Sequence, residues 1–366
     1  MFTLKDSTDV EDLVVGTTIL GTGGGGSPQK GKSILESDLA HGLELQVIEL
    51  EEIPDDGLVV SPYYVGSLSP AHMTKKRIIT DPFKVGFGVM ERYFGRKIAG
   101  TVACELGGGN TAAALHVAAQ LGIPLVNGDL SGRSGPELHQ NTAQIFGLSM
   151  APSVLVTETG NVVFVEQYAN IDDYETLARH VSVAAGGLAA VIDSPLTKPR
   201  ALQIIIRATI SKSLTVGEAV RNAHEKNTDP VEAVKRVLDG WLIFEGSVER
   251  HESRDDKGFL FAEVTLSGRD KWQGRSFRSW IKNEHIFAWL NGEPVVMPPD
   301  LIIFLDSAGN GITNDLLKRG LQVSVVAAKA PEVWRTPRGL KFFGPRHLGF
   351  TCSYVPVEKL VCNVIG

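Results

Sequence analysis

The sequence predicts an α/β protein in three stretches. These are an N-terminal, mainly parallel α/β/α domain at 1–169, a helical connector at 170–240, and a second, β-rich α+β domain at 241–366. Three observations predict this. In the first stretch, short apolar runs alternate with helical patterns and Gly-rich turns, as in a parallel sheet covered on both faces. The middle stretch is patterned as helix. From Trp241 onward, short strand-like runs are separated by turn residues such as Asn291-Gly292 and Asp255-Asp256-Lys257-Gly258.

Taken in order, Val14 to Leu20 is apolar and reads as a strand entering Gly21-Thr22-Gly23-Gly24-Gly25-Gly26-Ser27-Pro28, with a helix from about Gln29 to Ala40. Leu45 to Leu50, Leu58 to Ser61 and Ile98 to Cys104 read as strands. Thr111 to Leu121 is Ala-rich with apolar residues at helical spacing, which predicts a packed helix. Ile123 to Val126 is a short buried strand, and Pro136 to Phe146 begins a helix. Val154–Thr157 and Val162–Val165 flank Glu158-Thr159-Gly160-Asn161 and form a hairpin. Helices follow at Ile171 to about Gly186 and Val216 to about Leu238, the latter restarted by Asp229 as cap with Pro230 at its first position. Strands are expected at 242–250, 259–266, 276–281, 286–290, 295–296, 301–305 and 321–327.

Composition narrows the function classes. The 366 residues are 43% hydrophobic and 21% charged, enough apolar content for a sizeable core. A net charge of −6 disfavours a polyanionic partner such as nucleic acid, and Lys75-Lys76-Arg77, the one basic stretch, reads as a solvated turn. No apolar run reaches the roughly 20 residues that span a bilayer, and the first residues lack a signal-peptide pattern. Three cysteines do not make a disulfide framework, so a reducing, cytoplasmic setting is expected.

Three Gly-rich turns carry the chemistry. Gly21, Thr22, Gly23, Gly24, Gly25 and Gly26 can turn backbone N–H groups toward an anion or a polar ligand at a helix start. Four consecutive glycines are costly to order, so close approach of another group is expected there. The GTGGGG run superficially fits a dinucleotide fingerprint, but the acidic partner is ambiguous among Glu49, Glu51 and Glu52, and no Lys-Ser/Thr closes a phosphate loop. The second turn, Glu105-Leu106-Gly107-Gly108-Gly109-Asn110, places a carboxylate at the end of a strand, where open α/β sheets bind ligands. Glu105 suits a general base or a metal ligand; Asn110 suits ligand binding or a helix cap. Cys104 reads as a small core residue. The third turn, Asn127 to Glu137, brings Asp129, Arg133 and Glu137 into one region, where an Arg can hold two carboxylates or a substrate carboxylate, or form an ion pair that only fixes the loop. In a parallel sheet, three strand–turn–helix loops converge on one edge. Ser61 to Ser67 is a fourth rim candidate. In the second domain, Asn283-Glu284-His285 and Arg346-His347 show no metal-ligand spacing, and His347 and Arg346 read as packing and surface residues.

Leu20 to Pro28, Glu105 to Asn110 and Gly132-Arg133-Ser134-Gly135-Pro136-Glu137 together resemble the S-methyl-thiohydantoin desulfurase-like family, as do Pro299-Asp300-Leu301-Ile302, Asp306 and Gly344-Pro345-Arg346 further on. The likeness spans nearly the whole chain. It implies a hydrolase opening or desulfurating a hydantoin or thiohydantoin ring, with a divalent metal as the one cofactor to expect. Glu105 and Asp129 are the candidates for base or metal ligand, Arg133 and Glu137 complete the catalytic set, and Gly21 to Gly26, Gly107 to Gly109, Asn110 and Asn127 line the substrate. Asn127 departs from the acidic residue expected in the family, and Ser134-Gly135 from its Ala-Phe pair, which weakens a metal held by that loop. The rival readings are a nucleotide-dependent enzyme and a non-catalytic accessory or sensor subunit of a hydantoinase-type system. The expected partner is a small-molecule substrate, without nucleic acid or membrane; a homo-oligomer is compatible with the sequence.

Overall fold

A computed structural model describes residues 1–66, 76–256 and 258–364. Lys75 of the basic stretch, Ser67 of the fourth rim segment and Lys257 of the predicted hairpin turn lie outside the described residues.

The first layer system runs β1 (Phe2–Leu4), α1 (Ser7–Leu20), α2 (Pro28–Ala40), β2 (Leu45–Ile48), β3 (Leu58–Gly66), α3 (Pro82–Phe94), β4 (Gly100–Ala103), α4 (Asn110–Leu121), β5 (Leu125–Asp129), α5 (Thr142–Phe146), β6 (Ser153–Val156) and β7 (Val162–Val165). It continues with α6 (Ile171–Ala185), β8 (Leu188–Thr197), α7 (Lys198–Ile204), β9 (Ile206–Arg207), α8 (Thr209–Glu225) and α9 (Pro230–Val237). The sheet order is β1-β2-β5-β4-β3-β8-β6-β7, with β9 beside β5. Its centre, β2-β5-β4-β3, is parallel, and the flanking strands are antiparallel. The predicted parallel centre is therefore present.

Three elements correct the sequence reading. The helix expected from Pro136 to Phe146 begins only at Thr142, capped by Asn141, after a single 3-10 turn at Leu138–Gln140. Val14 to Leu20 is the second half of helix α1, not a strand. Asp6 caps that helix, accepting from the amides of Thr8 and Asp9. From Val10 onward most of its residues, polar ones such as Asp12, Thr17 and Thr18 included, are buried between neighbours, so no one-sided stripe marks it as a helix. Its Gly16 lies against the backbone of Ser213, and Gly217 of α8 against that of Asp12; a Cβ at either position would collide. The 170–240 stretch also contributes β8, a strand that pairs with both β3 and β6. The Asp229 cap is as expected, accepting from Val231 and Glu232 amides with Pro230 at the helix start.

The second sheet is antiparallel. Its strands are β10 (Trp241–Asp256), β11 (Phe259–Gly268), β12 (Ser276–Lys282), β13 (Glu284–Leu290), β14 (Glu293–Val296), β15 (Leu301–Leu305) and β16 (Gln322–Ala328), in the order β14-β13-β12-β11-β10-β16-β15. Three short helices follow, α10 (Glu332–Arg335), α11 (Leu340–Phe343) and α12 (Val357–Val364); α12 packs on this sheet through Val357 and Val361, while α10 and α11 carry Trp334 and Phe343 into the cluster between the halves. Phe244, Phe277, Phe304 and Trp272 fill the core of this half. The two halves share one cluster, in which Leu13, Ile19 and Leu106 meet Ile286, Leu301 and Trp334. Burial of such side chains contributes about 1.5–3 kcal/mol each and seats the Gly-rich turns against the second sheet.

Candidate active site at the junction of the two sheets

Strands β4 and β5 are parallel neighbours, so the second and third Gly-rich turns leave the same edge, with Ala103 opposite Asp129. The first turn follows helix α1 rather than a strand, yet it reaches the same place. The carbonyl of Gly25 accepts from the amides of Gly109 and Asn110, both at 3.0 Å. Gly25 lies so close to Gly107 that a Cβ on either would collide with the other, and a Cβ on Gly26 would stand 3.1 Å from Gly109 Cα. Gly108 likewise packs on Pro28 and on Thr18 Oγ1. The three turns do converge, but the group that requires the glycines is another turn of the same chain. Gly107 N donates to Thr111 Oγ1 at 3.1 Å, and Gly21 N to Thr17 O. The amides of Gly107, Gly109 and Asn110 are thus engaged within the protein.

The remaining glycines of the first turn face the second sheet. Gly23 packs on the side chain of Asn314, and its carbonyl accepts from Asn314 N at 2.9 Å. Gly24 lies directly under the Glu284 carboxyl, where a Cβ would overlap Oε1. Thr22, at φ 50°, accepts from His285 N through its carbonyl and from Arg133 Nη2 through Oγ1.

Arg133 is fully buried and spends all of its N–H donors at this junction. Nε donates to Ser134 O (2.9 Å), Nη1 to Pro299 O (2.9 Å) and Asp300 O (3.0 Å), and Nη2 to Thr22 Oγ1 (2.8 Å) and His285 O (3.0 Å). None of these acceptors is a carboxylate. Burial draws the guanidinium pKa down to about 10, while the charges of Glu284, Asp300 and Glu105 work to raise it. Arg133 therefore joins the two halves rather than bridging Asp129 and Glu137.

Two carboxyls face this junction. Glu105 is half-buried at the end of β4; Oε1 accepts from Asn110 Nδ2 at 2.6 Å and Oε2 from Gly135 N at 3.0 Å. Asn110 is therefore a partner of Glu105 rather than a helix cap. Glu284, at the start of β13, is buried; Oε1 accepts from Ser134 Oγ at 3.0 Å and Oε2 has no protein partner. Burial raises both carboxyls, opposed at Glu105 by the Gly135 amide, Ser134 and Asn110, and reinforced at Glu284 by the Glu105 charge. Like charges repel, and the Glu105 charge adds to the rise at Glu284. The donors and guanidinium around Glu105 favour its ionised form over that of Glu284. In the sequence Glu284 lies in a segment without metal-ligand spacing and carries no further signal; neighbours on a strand point to opposite faces. Here His285 points the other way, stacked on Phe304 with ring centroids 3.9 Å apart.

Asp129 is buried at the end of β5. Its Oδ2 accepts from the amides of Ser131 and Gly132, and its Oδ1 has no protein partner. Burial pushes its pKa up to about 7 despite those amides. Asn127 makes structural bonds: Nδ2 donates to Glu49 Oε1 (2.7 Å) and Ser211 Oγ (2.6 Å), and Oδ1 accepts from Ser211 N (3.0 Å). An acid here would oppose Glu49 directly. Cys104 is half-buried, and burial raises its thiol far above the ordinary value, as expected of a packing residue.

Glu137 lies apart from the carboxyl pair, in a second cluster. Its Oε2 accepts from His347 Nε2 at 2.7 Å and stands 3.8 Å from His139 Nδ1, while Lys282 Nζ holds Oε1. Burial works against ionisation, but the hydrogen bonds from His347 and Lys282 hold the carboxyl down to about 2. Burial, and then His347, lowers His139. Among the described residues, Glu137, His139 and His347 form the group of three whose ligand atoms lie within 4.8 Å of one another; Glu105 and Asp129 belong to no such group. His347, read from the sequence as a packing residue, is thus half-buried in a polar cluster 210 positions away from Glu137.

No helix of the described residues is long and apolar enough to cross a membrane. A crystal structure of a protein from Chromobacterium violaceum has the same fold, with a TM-score of 0.78, 23% sequence identity, and coverage of 98% of this chain and 100% of that one. No curated protein matches the chain. The profile of the S-Me-THD-like N-terminal domain matches residues 8–167 and that of the S-Me-THD-like C-terminal domain residues 169–357. Both halves carry the match, and the chain belongs to the S-Me-THD-like family.

Proposed function

We propose that this protein is a hydrolase of a small thiohydantoin- or hydantoin-like ring. One observation carries the reading: Glu105 and Glu284, from different halves of the molecule, are held by the adjacent residues Gly135 and Ser134, with Gly24 packed against Glu284; we assign them as base and acid. A planar ring of this kind offers N–H donors to carboxylates and an electrophilic carbon between its two nitrogens. Ionised Glu105 takes a proton from water as the oxygen attacks that carbon. Protonated Glu284 gives its proton to the departing sulfur or nitrogen, whose bond to the carbon breaks. Pairs of titratable groups held at different protonation states serve as such acid and base partners. Asn110 and the Gly135 amide orient Glu105, and Arg133 is a positioning residue that holds the two halves in register. The family name supports the ring class. A phosphate-binding reading has less support, because the amides of Gly107, Gly109 and Asn110 are already engaged.

The test is turnover by Glu105→Gln against a panel of thiohydantoins and hydantoins, following sulfide, thiol or ammonia release. Loss of turnover with a nearly unchanged unfolding temperature is expected. Wild-type-like turnover in the variant rejects the assignment, and tight binding without turnover by the unmodified protein would favour a sensor instead.

A further inference from the structure

We propose that Glu137, His139 and His347 form a divalent transition-metal site, distinct from the Glu105–Glu284 pair, that ties the two halves of the chain together. The donor set is two imidazole nitrogens and one carboxylate oxygen, which suits Zn²⁺ or a similar borderline cation and leaves a fourth position open. Bonds of about 2.0–2.1 Å in a tetrahedral site place ligand atoms roughly 3.3 Å apart. The separations from Glu137 Oε2, 2.7 Å to His347 Nε2 and 3.8 Å to His139 Nδ1, straddle that spacing, so a shift of about half an ångström at each seats an ion. His139 Nδ1 is inaccessible to solvent and has no protein hydrogen-bond partner, so its lone pair is uncommitted within the fold.

The surroundings fit a metal site as well. His139 Nε2 lies 3.5 Å from Oδ1 of the exposed Asp172, on the side where histidine metal sites carry an outer carboxylate partner. Gln140 Nε2 donates to Glu137 Oε2 and Gln140 Oε1 accepts from Glu137 N, so the carboxylate rotamer is set by its own turn. Lys282 holds Oε1, and Oε2, the oxygen that meets both histidines and accepts from Gln140, is the one offered to the ion. The three side chains are 12–19% exposed, enough for entry from solvent.

Untagged full-length protein, stripped with chelator and titrated with Co²⁺ and then Zn²⁺, provides a readout independent of turnover. The expected result is one Co²⁺ per chain, with visible bands of a four-coordinate ion that Zn²⁺ erases. His139→Ala and His347→Ala lose the bands, Asp172→Asn weakens binding about tenfold or more, and Glu105→Gln retains them. If His139→Ala does not fold, His347→Asn, at a half-exposed turn, gives the same test. Absence of stoichiometric Co²⁺ binding in the unmodified protein, or bands that survive both histidine changes, overturns the proposal. Neither outcome touches the role of Glu105, which turnover of Glu105→Gln decides separately.

Discussion

Arg133→Met is the most direct probe of how the two halves are held together. Methionine has nearly the same length and remains compatible with the Phe343 ring, whose centroid lies 5.1 Å from the guanidinium carbon. It removes the charge and every donor, so the oxygens of Thr22, Ser134, His285, Pro299 and Asp300 lose a partner in a buried place. An orphaned buried acceptor costs about 1–3 kcal/mol, and carbonyls retain partial compensation through other donors, so the lower end applies and the gross loss is about 5 kcal/mol. Relief from burying an ion returns part of this, and a net loss of about 3–5 kcal/mol is expected. Urea unfolding followed by tryptophan fluorescence measures it, with Trp334 reporting from beside the junction, where its Nε1 donates to Ser131 O. Arg133→Lys retains the charge but has only three donors and no planar fork, so it should recover about half of the loss. A methionine variant within about 1 kcal/mol of the unmodified protein would refute the idea that this guanidinium holds the junction.

Two further predictions concern the turns and the buried acids. Gly25→Ala combines a positive φ of 77° with collision against Gly107, whereas Gly42→Ala has a similar φ of 73° and open space. The first should lose about 2–5 kcal/mol and the second about 1–2 kcal/mol in urea unfolding; equal losses would mean that the turns do not interlock. Asp129 and Asp193 are both pushed up to about 7 by burial, Asp193 in spite of hydroxyl bonds from Tyr63 and Tyr174. Each native carboxyl then holds a proton that the unfolded chain, at about 3.9, has lost, so their stabilisation is complete below pH 4 and is lost as pH rises toward 7. Asp129→Asn and Asp193→Asn should each remove about 1.4 kcal/mol per pH unit from the slope between pH 4.5 and 6.5. Curves parallel to those of the unmodified protein would show that neither acid is neutral when folded.

The elements that the sequence made legible are those whose burial is one-sided or whose punctuation is local. Strands β11 and β12 alternate in burial, Asn291-Gly292 marks the turn between β13 and β14, and Asp229-Pro230 marks a helix start in its own chemistry. Helix α1 was misread because tight packing on several sides erases the 3.6-residue stripe, leaving an apolar run that looks like a buried strand. Strand β8 was hidden for another reason: a positive φ at Ser194 and the proline at 195 break its alternation, and only pairing with β3 and β6 makes it a strand.

The same distinction explains the site. Glu105, Asn110 and Gly135 come from turns whose glycine content announces a close approach. What the sequence could not disclose was the identity of the neighbour, since an interlocked turn and a bound ligand make the same demand on Gly25 and Gly107. Glu284 and His347 carry no local mark. Glu284 matters because Gly24 has no side chain and Ser134 reaches across from the other sheet; His347 matters because Glu137, 210 residues earlier, points at it. Partners supplied across a domain junction are set by docking, and docking here depends on a buried arginine that bonds only neutral oxygens. A charge solvated in that way demands precise placement of main chain from both halves. The arrangement that fixes Glu105 against Glu284 is therefore the one that fixes Glu137 against His347. Loosening the junction at Arg133 should disturb both clusters together, although no residue of the second cluster is among the five acceptors of Arg133.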